Sequence, residues 1–322
     1  MPDPIPPAGH APADPQRARL LRAGLAACML AGGQAMLPAR AQAPQGAAAA
    51  LARRPIPASG AALPVIGCGT YIGFDIPAGD PRRAELEGVV RTLVQGGGSV
   101  LDSSPMYGRA EAVTGEVVQA LDARPRTFLA TKVWTQGREA GIAQMEDSFR
   151  LLRTDRIDLM QIHNLLDWRT HLPQLRDWQA QGRIRYLGIT HYTSSAYDEV
   201  EAVLRQEKLD FLQINYAADD DAAARRVLPL AAERGVAVLI NRPFGGGGLL
   251  RRLSGRPLPG WAAEIGATSW AQVLLKFVLS QPAVTCAIPG TARVAHMRDN
   301  LLAGTGEIPV STWWDDKRDA LR

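Results

Sequence analysis

From residue 55 onward the chain alternates short apolar runs with amphipathic stretches eight times over, and that alternation restricts the fold more than any other feature. The apolar runs cover 65–71, 99–104, 127–133, 157–163, 184–190, 211–216, 237–243 and 284–290. Between them apolar residues recur at helical spacing: Leu86, Val89, Val90 and Leu93, then Ile142, Met145, Phe149 and Leu152, and later Trp270, Val273, Leu274, Phe277 and Val278. Each such stretch has one apolar face, the pattern of βα units in a parallel sheet. Eight units in roughly 250 residues predict an α/β fold of the closed (β/α)8 barrel type, with its site at the C-terminal ends of the strands. A doubly wound sheet would want a Gly-rich fingerprint after the first strand. Here Tyr71 is followed by Ile72-Gly73-Phe74-Asp75.

The flanks divide the chain into a targeting segment at 1–43, a linker at 44–53 and the barrel at 54–322. Residues 54–64, with Ser59-Gly60 at their centre, read as a small hairpin before the first strand. A loop from Gly248 to Thr268, rich in Gly, Arg and Pro, could cover the barrel mouth. Trp313-Trp314 in the tail belong either to a final packed helix or to a substrate lid, and packing is the favoured reading.

The net charge of +4 raises the question of a nucleic-acid partner, and its location answers it. Six of the 36 cations and two of the 32 acids fall within the first 54 residues, so 30 of each sign remain beyond and the body is neutral. The first 43 residues combine Arg17, Arg19 and Arg22 with an apolar stretch over 23–37 and end in Ala39-Arg40-Ala41-Gln42-Ala43, as an export signal with periplasmic destination would. That stretch is too short and too rich in Ala and Gly for a membrane span. The alternative is an Ala/Pro tail on a cytoplasmic enzyme. Of the three cysteines, Cys28 lies in the leader, while Cys68 and Cys286 fall in the first and last strands and are expected to be buried thiols.

Four polar residues stand at or just after successive strand ends: Asp102, Tyr107, Lys132 and His163. Singly they admit plain explanations as a turn residue, a loop aromatic, a snorkelling cation and a core histidine. Together, at adjoining strands, they suit hydride addition to a carbonyl. The oxygen that gains charge needs a proton donor that is still protonated at neutral pH, and a tyrosine serves if a cation makes it more acidic. Lys132 would supply the cation, Asp102 would balance Lys132, and His163 would orient the carbonyl oxygen as a hydrogen-bond donor. No clustered ligands suggest a metal site, which argues against a metal-dependent hydrolase.

Here the sequence resembles the aldo-keto reductase family, in Gly67-Cys68-Gly69-Thr70, Leu101-Asp102-Ser103-Ser104-Pro105-Met106-Tyr107-Gly108, Ala130-Thr131-Lys132, Asp158-Leu159-Met160-Gln161-Ile162-His163, Gly182-Arg183-Ile184-Arg185-Tyr186-Leu187-Gly188-Ile189 and Ile288-Pro289-Gly290-Thr291. The resemblance runs from about residue 54 to 304. It implies an Asp, Tyr, Lys and His tetrad on the four residues above, NADPH (with NADH the lesser candidate) extended across the barrel mouth, and reversible reduction of a small aldehyde or ketone. It places the nicotinamide amide against Thr190, His191 and Gln213, where His191 departs from the family's Asn. That His191 could bring pH sensitivity or donate one hydrogen bond, and the latter is favoured. Gly69, Thr70 and Tyr71 would border the cofactor. Arg242, Pro243, Phe244, Gly245 and Gly247 resemble the loop that closes over the pyrophosphate. Gly290, Thr291, Arg293, His296 and Asn300 resemble the segment that grips the adenosine 2′-phosphate, where Thr291, Arg293 and Arg298 would stand in for the family's usual Lys and Arg. Tyr71, Trp134 and Trp168 are candidates for an apolar substrate pocket. The competing function is a barrel that binds or senses the cofactor and turns over slowly.

Overall fold

The structure, a computed structural model, describes residues 50–321. The targeting segment expected at 1–43, and the expected linker up to residue 49, lie outside the described residues. Within them an antiparallel hairpin, β1 (Arg53–Pro55) with β2 (Ala62–Pro64), precedes eight parallel strands. These are β3 (Cys68–Gly69), β4 (Val100–Asp102), β5 (Phe128–Val133), β6 (Ile157–Ile162), β7 (Ile184–Thr190), β8 (Phe211–Asn215), β9 (Ala237–Asn241) and β10 (Val284–Ala287). Their spatial order follows their chain order. Parallel bridges Ile66–Ala287 and Gly69–Gly290 join the first strand to the last, so the sheet closes into the (β/α)8 barrel.

The helices are α1 (Arg83–Gln95), α2 (Ala110–Ala120), α3 (Arg138–Leu152), α4 (Trp168–Ala180), α5 (Tyr197–Gln206), α6 (Val227–Glu233), α7 (Gly248–Leu253), α8 (Trp270–Leu279) and α9 (Val294–Leu302). In α1 the buried face is Leu86, Val89, Val90 and Leu93, as the periodicity predicts. In α3, Met145, Phe149 and Leu152 are buried. None of the helices among the described residues is long and apolar enough to cross a membrane.

Every strand alternates between two apolar environments, which is why the runs read as almost continuously hydrophobic. Leu101, Leu129, Met160, Leu187, Leu212 and Val238 pack with the helices. Val100, Phe128, Leu159, Tyr186, Phe211, Leu239 and Cys286 form a separate cluster inside the barrel, joined by Ile56 and Leu63 of the hairpin. The rings of Phe128, Tyr186 and Phe211 lie 5.4–6.0 Å apart, and the Tyr186 hydroxyl meets Ser59 Oγ at 2.6 Å. The hairpin therefore plugs the N-terminal end of the barrel. Arg54 fastens it, donating at 2.5 Å to the carbonyl of Leu279 at the end of α8, at 3.0 Å to that of Gln281, and to that of Val284 at the start of β10. Cys68 belongs to the helix-side cluster and Cys286 to the interior one, and both are free buried thiols.

The structure shortens several expected strands. The first is reduced from 65–71 to two residues, because beyond Gly69 the chain bends into a turn whose Thr70 is bonded to Asp102. The others lose up to three residues at their C-terminal ends, where residues such as His163, Pro243 and Pro289 leave the ladder to form the mouth. The stretch from Gly248 to Thr268 is not the open loop expected. It forms α7 and a short turn whose Trp261 packs edge-on to Trp313 and Trp314, with ring centres 5.5 and 5.9 Å apart. Trp314 is fully buried, so the tail packs rather than serving as a lid.

Gly188 marks the tightest approach inside the barrel, since a Cβ there would meet the Phe211 carbonyl at 2.6 Å. Gly188→Ala is expected to cost about 1–3 kcal/mol by overpacking, read as a drop of several degrees in Tm by circular dichroism. An unchanged Tm would contradict the close β7–β8 packing.

Candidate active site

Inside the barrel the side chains change from aromatic at the plugged end to polar at the other. Asp102 ends β4, Lys132 lies near the end of β5, Gln161 is on β6 and Gln213 on β8, all buried. Lys132 is fully buried, so its ammonium has to find protein partners for its three hydrogens. It donates to Asp102 Oδ2 at 2.7 Å and to the Ser103 carbonyl at 2.7 Å. The ring centre of Tyr107 lies 5.0 Å from Nζ. The other oxygen of Asp102 accepts from the amides of Gln213 at 2.8 Å and Gln161 at 3.2 Å.

Tyr107 stands in a short turn, Pro105–Tyr107, opened by Ser104, whose Oγ accepts the Met106 N–H at 3.2 Å. His163 follows β6 directly. Its ring stands edge-on to Tyr107 with centres 5.8 Å apart, and its Nδ1 is 3.0 Å from Ser104 Oγ. The exposed ring of Tyr71 lies 5.0 Å from that of Tyr107, and the half-exposed Trp134 lies 6.3 Å from His163. All four residues read from strand ends therefore meet at the C-terminal mouth of the barrel.

Their ionisation differs from expectation in one respect. Burial pushes the Tyr107 phenol up, the attraction of the Lys132 ammonium and its hydrogen bond pull it down, and burial prevails, so the phenol stays above the ordinary tyrosine range. Lys132 acts in the expected direction, toward a more acidic phenol, but burial outweighs it. Lys132 itself is pulled down by burial, but Asp102 and Tyr107 outweigh this and hold it above the ordinary lysine value. His163 is depressed to about 3, by burial first and then by Lys132 and His191, which leaves a neutral imidazole.

The residues assigned to the cofactor fall into two groups. Thr70, Thr190 and Gln213 are buried and already bonded within the protein: Thr70 Oγ1 donates to the Asp102 carbonyl at 3.1 Å, Thr190 Oγ1 accepts the Asn164 N–H at 3.2 Å, and Gln213 holds Asp102. Gln213 is thus an anchor for the carboxylate as well as a mouth residue. Asn300 is buried, Thr291 caps the turn into α9 by accepting the Arg293 N–H at 3.1 Å, and Pro243 is buried. Gly69 and Gly290 approach each other in a backbone bridge.

Facing outward are Tyr71, Arg242, Arg293 and His296, with half-buried Phe244 nearby. Gly245, Gly246 and Gly247 all take positive φ, which the tight turn above β9 requires. His191 is partly buried. Its Nδ1 accepts the Thr193 N–H at 3.3 Å, and burial holds the ring below the usual imidazole range, in keeping with a neutral hydrogen-bonding role. Trp168 is buried at the start of α4.

The model of the Aldo/keto reductase family matches residues 65–312, about three quarters of the chain. This protein belongs to that family. The aldo/keto reductase most useful for comparison is Methylglyoxal reductase YeaE of Escherichia coli (strain K12), 30% identical over 258 residues that cover 78% of this chain and 88% of the relative. Among solved structures, an aldo/keto reductase from Klebsiella pneumoniae in complex with NADP and acetate is 26% identical, with a TM-score of 0.68 over 81% of this chain and 92% of that one.

Sequence reasoning did not single out Gln161, Ser104 or Asn241. Gln161 lies two positions before His163, on the same face of the same strand, which was the available signal. Asn241 donates to the His191 carbonyl at 2.9 Å, and its Oδ1 is buried without a partner, as is that of Asn215 at the end of β8.

The His163 shift has a definite sign. A folded-state value of about 3 against 6.5 unfolded means that the unfolded chain binds the proton first, so the stability held by the neutral ring is full above pH 6.5 and is lost as pH falls toward 3. Urea midpoints should therefore drop more between pH 7 and pH 5 for the natural protein than for His163→Gln. An equal drop would contradict a buried neutral imidazole.

Proposed function

We propose that this aldo/keto reductase catalyses NADPH-dependent reduction of a small aldehyde or ketone to the alcohol, with Tyr107 as the proton donor. The observation that carries the reading is a fully buried ammonium, paired with the Asp102 carboxylate at 2.7 Å, that lies 5.0 Å from the ring centre of a tyrosine at the mouth of the barrel. The similarity to a methylglyoxal reductase and to a structure in complex with NADP supports both the substrate class and the cofactor.

The mouth suits such a cofactor on physical grounds. The unpartnered buried oxygens of Asn215 and Asn241 are acceptors for a carboxamide NH2, and a buried acceptor without a partner is unfavourable until something fills it. Arg242 beside the glycine run, and Arg293 and Arg298 on and before α9, present exposed guanidinium groups to phosphates. When bound, the reduced nicotinamide supplies the hydride.

The remaining steps belong to the chain. His163, being neutral, donates a hydrogen bond to the carbonyl oxygen without competing for the proton. Tyr107, fully protonated at neutral pH, delivers its proton to that oxygen as charge builds there. The phenolate left behind is held by the Lys132 ammonium, and Asp102 keeps that ammonium charged. By stabilising that phenolate, Lys132 lowers the cost of proton transfer and offsets part of the rise that burial imposes on the phenol. Tyr71 and Trp134, both exposed at the rim, offer the carbonyl compound an aromatic approach.

The test is NADPH oxidation by the purified protein with a panel of small aldehydes and ketones, beside Tyr107→Phe. The variant should lose about 10²- to 10⁴-fold in rate while binding NADPH as tightly in a fluorescence titration. Cofactor binding without carbonyl-dependent oxidation by the natural protein would support a sensing barrel instead, and equal dissociation constants for NADPH and NADH would contradict the cofactor assignment.

A further inference from the structure

Ser104 is fully buried and makes two contacts through one oxygen: it accepts the Met106 N–H at 3.2 Å, and it lies 3.0 Å from Nδ1 of His163. A hydroxyl has a single hydrogen to give. With the backbone amide occupying one lone pair, that hydrogen needs an acceptor, because a buried donor left unpaired is costly. Among the described residues the only acceptor bonded to Ser104 Oγ is His163 Nδ1. Were Nδ1 itself protonated, Oγ would accept twice and its own hydrogen would be stranded.

The imidazole is neutral and so carries one N–H, which this arrangement puts on Nε2. Nε2 has no hydrogen-bond partner among the described residues, and the ring stands beside Tyr107 and Trp134 at the rim.

We propose that Ser104 is a positioning residue for carbonyl reduction: by donating its hydroxyl hydrogen to Nδ1 it holds His163 in the Nε2–H form, with that hydrogen available to the substrate oxygen. Through its bond to Met106 it ties this choice to the turn that presents Tyr107. The catalytic half of this inference rests on the function proposed above, whereas the tautomer does not.

The full chain contains five histidines, so labelling them with 15N gives a spectrum in which the His163 signals are assigned by their absence from His163→Gln. Long-range proton–nitrogen correlations between pH 6 and 8 should show Nδ1 as an acceptor-type and Nε2 as a protonated nitrogen. In Ser104→Ala both shifts should move toward each other, and Ser104→Thr should restore them. With NADPH and an aldehyde, kcat of Ser104→Ala should fall roughly three- to tenfold, the cofactor KM should hold, and Ser104→Thr should recover the rate. Should Ser104→Ala fail to fold, Ser104→Cys, whose thiol is a weak donor, replaces it with the same expectation.

A protonated Nδ1 in the natural protein, or an unaltered His163 pattern in the variant, overturns the proposal. If the natural protein reduces no carbonyl, the tautomer result still stands or falls on the spectrum, and only the positioning role is overturned.

Discussion

A lysine ammonium with no access to water, in the middle of a closed barrel, is the constraint around which the polar end of this protein is arranged. A buried charge is tolerated only when its partners satisfy it completely, and breaking such a pair is far more damaging than never having formed it. Lys132 meets the condition with a carboxylate and a backbone carbonyl, and with the Tyr107 ring close beside it. Asp102 meets it in turn with the ammonium on one oxygen and two glutamine amides on the other. These contacts draw on β4, β5, β6 and β8, so barrel closure and the site geometry are one problem. The plug of hairpin and aromatic rings at the far end keeps water from reaching the pair from below.

The same pair separates the protonation states of its neighbours. Burial would raise the phenol and lower both the ammonium and the imidazole, and the partners decide how far each goes. Asp102 and Tyr107 reverse the effect on Lys132, Lys132 only moderates it on Tyr107, and for His163 the nearby cation adds to it. The result at neutral pH is a charged lysine, a protonated tyrosine and an uncharged histidine within one cluster. Each has the form that proton donation to a carbonyl oxygen needs, and the bond from Ser104 concerns the one remaining variable, the position of the histidine hydrogen.

Much of this was legible in the sequence because the chemistry placed rare residue types where apolar ones belong. Lys132 stands out as a lysine within a strand, and Asp102, Tyr107 and His163 mark the ends of neighbouring ones. Gln161 and Ser104 stayed hidden because glutamine and serine are ordinary residues whose importance depends on contacts 59 positions away in the chain. Thr190 and Gln213 were read only as cofactor residues, and their protein-bound sides could be seen only once β6, β7 and β8 were side by side. The segment after Gly248 looked like a loop by composition, yet Trp261 reaches Trp313 and Trp314 and so folds it. The strands were read too long at the mouth, where apolar residues continue after backbone pairing has stopped.

The central claim is that Asp102 serves the reaction by keeping the Lys132 ammonium charged, and a double-mutant cycle on the single-turnover rate of carbonyl reduction tests it most directly. Asp102→Asn and Lys132→Met should each slow the step, and the double variant should be no slower than Lys132→Met by itself. Losses that multiply in the double variant would contradict the account, because they would give Asp102 an effect that does not pass through the ammonium.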